Sequence, residues 1–151
     1  MLDIYIDADA CPVKEDTFRV AKRYHLKVIV VSNSPLSLPR AEWIVPVVVG
    51  SGFDAVDDWI ETQIQKQDVV ITNDLLLAAR CLKKEVRVLD PRGKILTEDN
   101  IGDALMHREF MYELRQMGSM KTGPKQMGKK HRSSFLSALD QVINKIRNNQ
   151  Q

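Results

Sequence analysis

A chain of 151 residues, 44% hydrophobic and 28% charged, is expected to fold as one domain that buries about two thirds of its unfolded surface. Its two cysteines, Cys11 and Cys81, are too few for a disulfide framework and lack metal-site spacing, and no apolar run reaches the roughly 18 residues of a membrane span. The composition therefore excludes a disulfide scaffold and a helical membrane protein, and reads as an unexported, cytoplasmic chain with no membrane partner. The net charge of +2 conceals an asymmetry: residues 1–118 carry 15 Lys and Arg against 19 Asp and Glu, whereas residues 119–151 carry 7 against 1. An acidic body with a basic arm suggests contact with phosphate.

Leu2, Ile4 and Ile6 alternate with Asp3 and Tyr5, which predicts a strand, and the run ends in Asp7 and Asp9 before Pro12 opens a helix. A strand thus delivers two acids to its carboxyl end, where ligands bind in open α/β sheets. The plain alternative is that Asp9 caps the helix and Asp7 is a solvated acid. Val13, Phe18, Val20, Ala21 and Tyr24 then mark an amphipathic helix. Leu26 to Val31 is nearly all apolar, as in a parallel strand covered on both faces. Trp43 to Val49 is another β-branched run, which Pro46 places at an edge or at an irregular point of the sheet.

Val56, Trp59, Ile60 and Ile64 form a helical stripe that begins near Asp54 and Asp57. Capping by a first-turn acid accounts for that pair; the functional reading points both carboxylates into the cleft that holds Asp7. Val69 to Ile71 repeats the opening design, a short strand closed by Thr72, Asn73 and Asp74, followed by a helix through Leu75, Leu76, Ala78, Ala79 and Leu82. Val86 to Asp90 is a further strand closed by an acid, and Pro91-Arg92-Gly93 turns into Lys94-Ile95-Leu96. Thr97 can cap a helix whose Ile101, Leu105, Met106, Phe110, Met111, Leu114 and Met117 lie along one face, with the methionines as core filler. Residues 119–132 hold three structure breakers and read as a mobile basic loop. Ser133 or Ser134 then caps a last helix with Phe135, Leu136, Leu139, Val142, Ile143 and Ile146 as its apolar face.

Asp7, Asp9, Asp74 and Asp90 at one edge of a sheet would repel each other unless a cation or a shared proton offsets the charge. An oxygen-only set without His or Cys suits Mg²⁺ or Mn²⁺ and supports phosphoryl transfer or phosphodiester hydrolysis. The alternative is that each acid caps the helix after its own strand.

Five ordered motifs resemble the YaiI/YqxD family of small bacterial proteins: Asp-Ala-Asp-Ala-Cys-Pro-Val at 7–13, Gly-Phe-Asp at 52–54 with Asp57, Ile-Thr-Asn-Asp-Leu-Leu-Leu-Ala at 71–78, Pro-Arg-Gly at 91–93 and Arg-Glu-Phe-Met-Tyr-Glu-Leu-Arg at 108–115. The resemblance implies a PIN-like fold, a three-layer α/β/α sandwich with a mainly parallel sheet over residues 1–118. On it residues 119–151 would add the basic loop and a helix packed on the same domain. By extension it implies a metal-dependent nuclease. Carried over by position, Asp7, Asp9, Thr72 and Asp74 become the catalytic residues. Asp7, Asp9, Asp74, Asp54 and Asp57 become candidate metal ligands, with Asp90 or Asp99 as a further acid. The chain departs from the family pattern at Leu76, at Asp90 and in Thr122-Gly123-Pro124.

Three functions are in play. The first is a Mg²⁺/Mn²⁺-dependent nuclease, acting on RNA ahead of DNA, with Lys121, Lys125, Lys129, Lys130, Arg132 and Arg92 holding the backbone of the nucleic acid. Another is an aspartyl-phosphate phosphohydrolase with Asp7 as nucleophile and Asp9 as acid/base. The last is a non-catalytic nucleic-acid-binding protein that uses its basic tail. A homodimer is left open.

Overall fold

The protein is described by a computed structural model over residues 2–8, 12–52, 54–118 and 128–149. Alternation along each strand decides which helices it meets. In β1 (Asp3–Asp7), Ile4 and Ile6 join the core formed with α1 (Lys14–Tyr24) and α5 (Lys129–Asn149), whereas Tyr5 joins the core formed with α2 (Ala55–Gln63) and α3 (Leu75–Leu82). The same split recurs in β2 (Lys27–Ser32), with Val28 and Val30 on the first face and Ile29 and Val31 on the second. It recurs again in β4 (Val69–Ile71), where Val69 and Ile71 oppose Val70. Successive side chains of a strand point to opposite faces, and both faces here are covered by helices, so the architecture is a three-layer α/β/α sandwich.

Three further strands, β3 (Ile44–Val48), β5 (Arg87–Leu89) and β6 (Ile95–Leu96), complete a six-stranded sheet in the order β3-β2-β1-β4-β5-β6. All neighbours are parallel except β5 and β6. Pro46 lies in β3, the edge strand, where its missing N–H interrupts no second ladder. At the opposite, amino edge, Asp68 accepts the backbone N–H groups of Asp3 and Gln65, both at 2.9 Å, and so ties β1 to the turn before β4.

Two expectations about helices are corrected. The last helix begins at Lys129, four residues before Ser133, so residues 129–132 belong to α5 and not to a loop. Arg132 provides the reason: both its Nε and its Nη2 donate to the buried Asp16 of α1 at 3.1 Å, which holds the first turn of α5 against the body. The second concerns α4 (Glu98–Gln116), which starts at a capping box between Thr97 and Asn100 as expected but buries no residue. Ile101 and Ala104 pack beside the second core, whereas Met106, Phe110 and Met117 stand exposed. The methionines of this helix are therefore not core filler. Among the described residues no helix is long and apolar enough to cross a membrane.

Gly93, in the turn between β5 and β6, has φ +93°, and a Cβ there would lie 2.6 Å from the carbonyl carbon and oxygen of Ser134 in α5. Only glycine allows the turn and the helix to approach this closely.

Candidate active site

The chain leaves β1 toward β2 and β3 on one side, then crosses over to β4, β5 and β6 on the other. The crevice between the carboxyl ends of β1 and β4 is therefore the point where strand order reverses, the usual ligand position in an open α/β sheet. Ile6 and Ile71 are register partners, so Asp7 at the end of β1 stands level with Thr72 just past β4.

Asp7 and Thr72 are both buried, and Thr72 Oγ1 donates to Asp7 Oδ2 at 2.9 Å. The same hydroxyl oxygen accepts the N–H of Asp74 at 2.9 Å. Asp74 in turn caps α3, its Oδ1 accepting the N–H of Leu76 at 2.9 Å and of Leu77 at 3.2 Å. The capping alternative is thus correct for Asp74, and both cap bonds fall on one of its oxygens while the residue also lines the crevice.

Asp54 and Asp57 do not act as caps. Asp54 occupies the N-cap position of α2 in a left-handed conformation, φ 64°, without a side-chain cap bond. Asp57 is buried at 9% exposure, and its carboxyl is pushed up to about 7. Burial is the leading cause, followed by the charges of Asp74, Asp7 and Asp54 and a hydrogen bond to Asp74. These four acids line one cavity of about 550 Å³. Asp90 and Asp99 are not among its lining residues; Asp90 Oδ1 instead accepts the N–H groups of Arg92 and Lys94, both at 2.9 Å, within the turn after β5.

Of the basic residues expected to hold substrate, the four that are described do not line the cavity. Arg132 is committed to Asp16, Lys129 and Lys130 are exposed in the first turn of α5, and Arg92 sits in the turn after β5; none lines the cavity. Asp9, Cys11, Lys121 and Lys125 lie outside the described residues. Cys81 is buried in the second core, and burial pushes its thiol up to about 12, so it carries no reactive thiolate.

The cavity also contains residues that the sequence reading passed over: Asn33, Ser51, Asn73 and Arg108. For Arg108 a signal existed. It stands seven residues after Ile101 and four after Ala104, the two α4 residues that pack toward the body, and hence on the same helical face.

The donor chemistry fits a hard divalent cation. It is all oxygen, and the charges of Asp74, Asp7 and Asp54 add to burial in raising the Asp57 carboxyl. Among the described residues no three His, Cys, Asp or Glu side chains form a ready-made ligand group.

Comparison with known proteins places residues 5–145 on the model of the family described as uncharacterized BCR, YaiI/YqxD. A UPF0178 protein of Rhodospirillum centenum is 50% identical over 151 residues, covering 97% of this chain and 98% of the relative. One from Gluconacetobacter diazotrophicus is 48% identical, covering 95% and 93%, and one from Paramagnetospirillum magneticum is 50% identical, covering 97% of each. No solved structure matches the chain significantly.

Proposed function

The chain belongs to the YaiI/YqxD family, and from that premise we propose that it is a Mg²⁺- or Mn²⁺-dependent nuclease that hydrolyses phosphodiester bonds, in RNA ahead of DNA. The observation that carries this reading is the meeting of Asp7, Asp57 and Asp74 in one crevice, where burial first and the neighbouring carboxylates second push the Asp57 carboxyl up to about 7. Asp7 and Asp74 would be the principal ligands, with Asp57, Asp54 and Asp9 beside them. Bound there, the cation would activate water and offset charge on the phosphate.

The chain's own contribution is orientation. Thr72 fixes the Asp7 carboxylate by donating to one oxygen, and two α3 amides fix Asp74. Preorganised donors of this kind act without rearrangement when the ligand arrives.

The test is thermal stability under Mn²⁺ and Mg²⁺ titration, for wild type and for Asp7→Asn combined with Asp74→Asn, followed by cleavage of labelled RNA. Asparagine caps a helix as well as aspartate does, so α3 is retained. Wild type should gain about 2.7 kcal/mol at a hundredfold excess of metal over Kd. The double variant should gain nothing and be the more stable of the two without metal, because repulsion has been removed. Equal responses of both proteins would overturn the reading.

A further inference from the structure

The acids of the cleft have a counterpart that faces them. Arg108, carried in by α4, is the one cation among the described residues that line the cavity, which Asp7, Asp54, Asp57 and Asp74 line as well. Four carboxylates line the same cavity, yet Arg108 makes no hydrogen bond or ion pair with any described residue. The other arginines near acids behave differently: Arg80 pairs with Asp58 and Glu61, and Arg132 with Asp16. Arg108 therefore presents an uncommitted guanidinium fork to the space in front of the acids.

Its placement follows from α4. Ile101 and Ala104 pack that helix beside the second core, and Arg108 continues the same face one turn further along, over the cleft. Asn73 and Ser51 add neutral polar groups to the lining. An acidic wall that favours a cation, and a guanidinium facing it, is suited to an anion that touches both. A guanidinium matches the oxygens of a phosphate in a bidentate geometry that lysine cannot reproduce.

We propose that Arg108 is the phosphate-binding residue of this cleft, gripping non-bridging oxygens of a nucleic-acid backbone whose neighbouring phosphate faces Asp7 and Asp74. This rests on the nuclease reading for its substrate class. Because the contact is to phosphate, it carries no base preference of its own.

The experiment measures binding of a short fluorescein-labelled single-stranded RNA by anisotropy, with Mn²⁺ and with chelator, across a salt series. Wild type, Arg108→Gln and Arg108→Lys are compared, and the thermal shift with Mn²⁺ alone is recorded on the same samples. The exposed Arg108 side chain supports no fold contact, so both variants should melt with wild type. Arg108→Gln should weaken RNA binding about tenfold and reduce the salt slope by about one, with Arg108→Lys intermediate and the Mn²⁺ shift unchanged in both. Wild-type affinity and salt slope in Arg108→Gln would overturn the proposal, as would absence of RNA binding by wild type under both conditions. If Mn²⁺ fails to stabilise wild type while Arg108 still governs RNA binding, the metal-dependent nuclease reading falls and the phosphate contact stands.

Discussion

Thr72 Oγ1 spans the junction of β4 and β1 to donate to Asp7 Oδ2 at 2.9 Å, and the same atom receives the N–H of Asp74. One hydroxyl thus sets the positions of two acids that lie 67 residues apart in sequence. Replacing it by the isosteric Thr72→Val removes a donor from a buried carboxylate and an acceptor from an amide. A loss of about 1–3 kcal/mol in stability is expected. Mn²⁺ affinity should fall about 10–100-fold, as for other residues that orient metal ligands, and Thr72→Ser should restore most of it. Calorimetric titration of Mn²⁺ into the three proteins checks this; unchanged affinity in Thr72→Val would show that the hydroxyl positions nothing.

Asp57 gives the fold a dependence on pH. Its carboxyl holds a proton up to about 7 in the folded chain, against an ordinary value of 3.8. Between those values the folded state binds the extra proton, so this group's contribution to stability is fully present below about pH 4 and is lost as pH rises through about 7. Asp57→Asn should remove that slope and, at about pH 8, exceed wild type by about 1–2 kcal/mol once solvent screening is allowed for. Urea midpoints at about pH 5 and about pH 8 measure the difference. A wild type that gains on the variant as pH rises would have the opposite sign and assign the proton elsewhere.

The turn at Gly93 is expected to tolerate no side chain. In Gly93→Ala the new Cβ would meet the backbone of Ser134, and φ +93° is unfavourable for alanine in any surroundings. We expect a loss of about 2–4 kcal/mol, and hydrogen exchange should show α5 losing protection before the central strands. Uniform loss of protection would mean that the turn and α5 do not form a separable contact.

Two phenylalanines in successive helices should differ sharply. Phe135 of α5 is wholly buried in the first core, and Phe135→Ala should cost about 3–5 kcal/mol. Phe110 of α4 is 57% exposed, and Phe110→Ser should stay within about 0.5 kcal/mol of wild type. Chemical denaturation of the two variants decides whether α4 contributes an apolar face to the body.

Much of the site was readable before any fold was known, because each acid carried its own local signal. Asp7 and Asp74 both close short apolar runs, and a strand followed by a helix delivers such residues to one edge of a parallel sheet. Local period gave the strand faces as well: Ile4 and Ile6 against Tyr5 need only the alternation of a pleated chain.

Other residues depended on partners distant in the chain. Asp57 has the composition of a first-turn cap, and only the approach of α2 to β1 and α3 turns its carboxyl toward Asp74. Arg132 and Arg108 are alike as letters in a sequence. Arg132 is taken by Asp16, 116 residues away, whereas Arg108 is carried over the cleft by a helix whose first two turns pack on the body. Met106, Phe110 and Met117 of α4 belong to a core-like periodicity yet stand exposed. Sequence by itself determined the strands and the acids at their ends, since these follow from period and from turn chemistry a few residues long, whereas the three-layer sandwich was expected from the resemblance to the YaiI/YqxD family. Which acids share a proton, which arginine is left uncommitted and which apolar stripe is buried were decided only by tertiary structure, because each depends on what a distant segment places within a few ångströms.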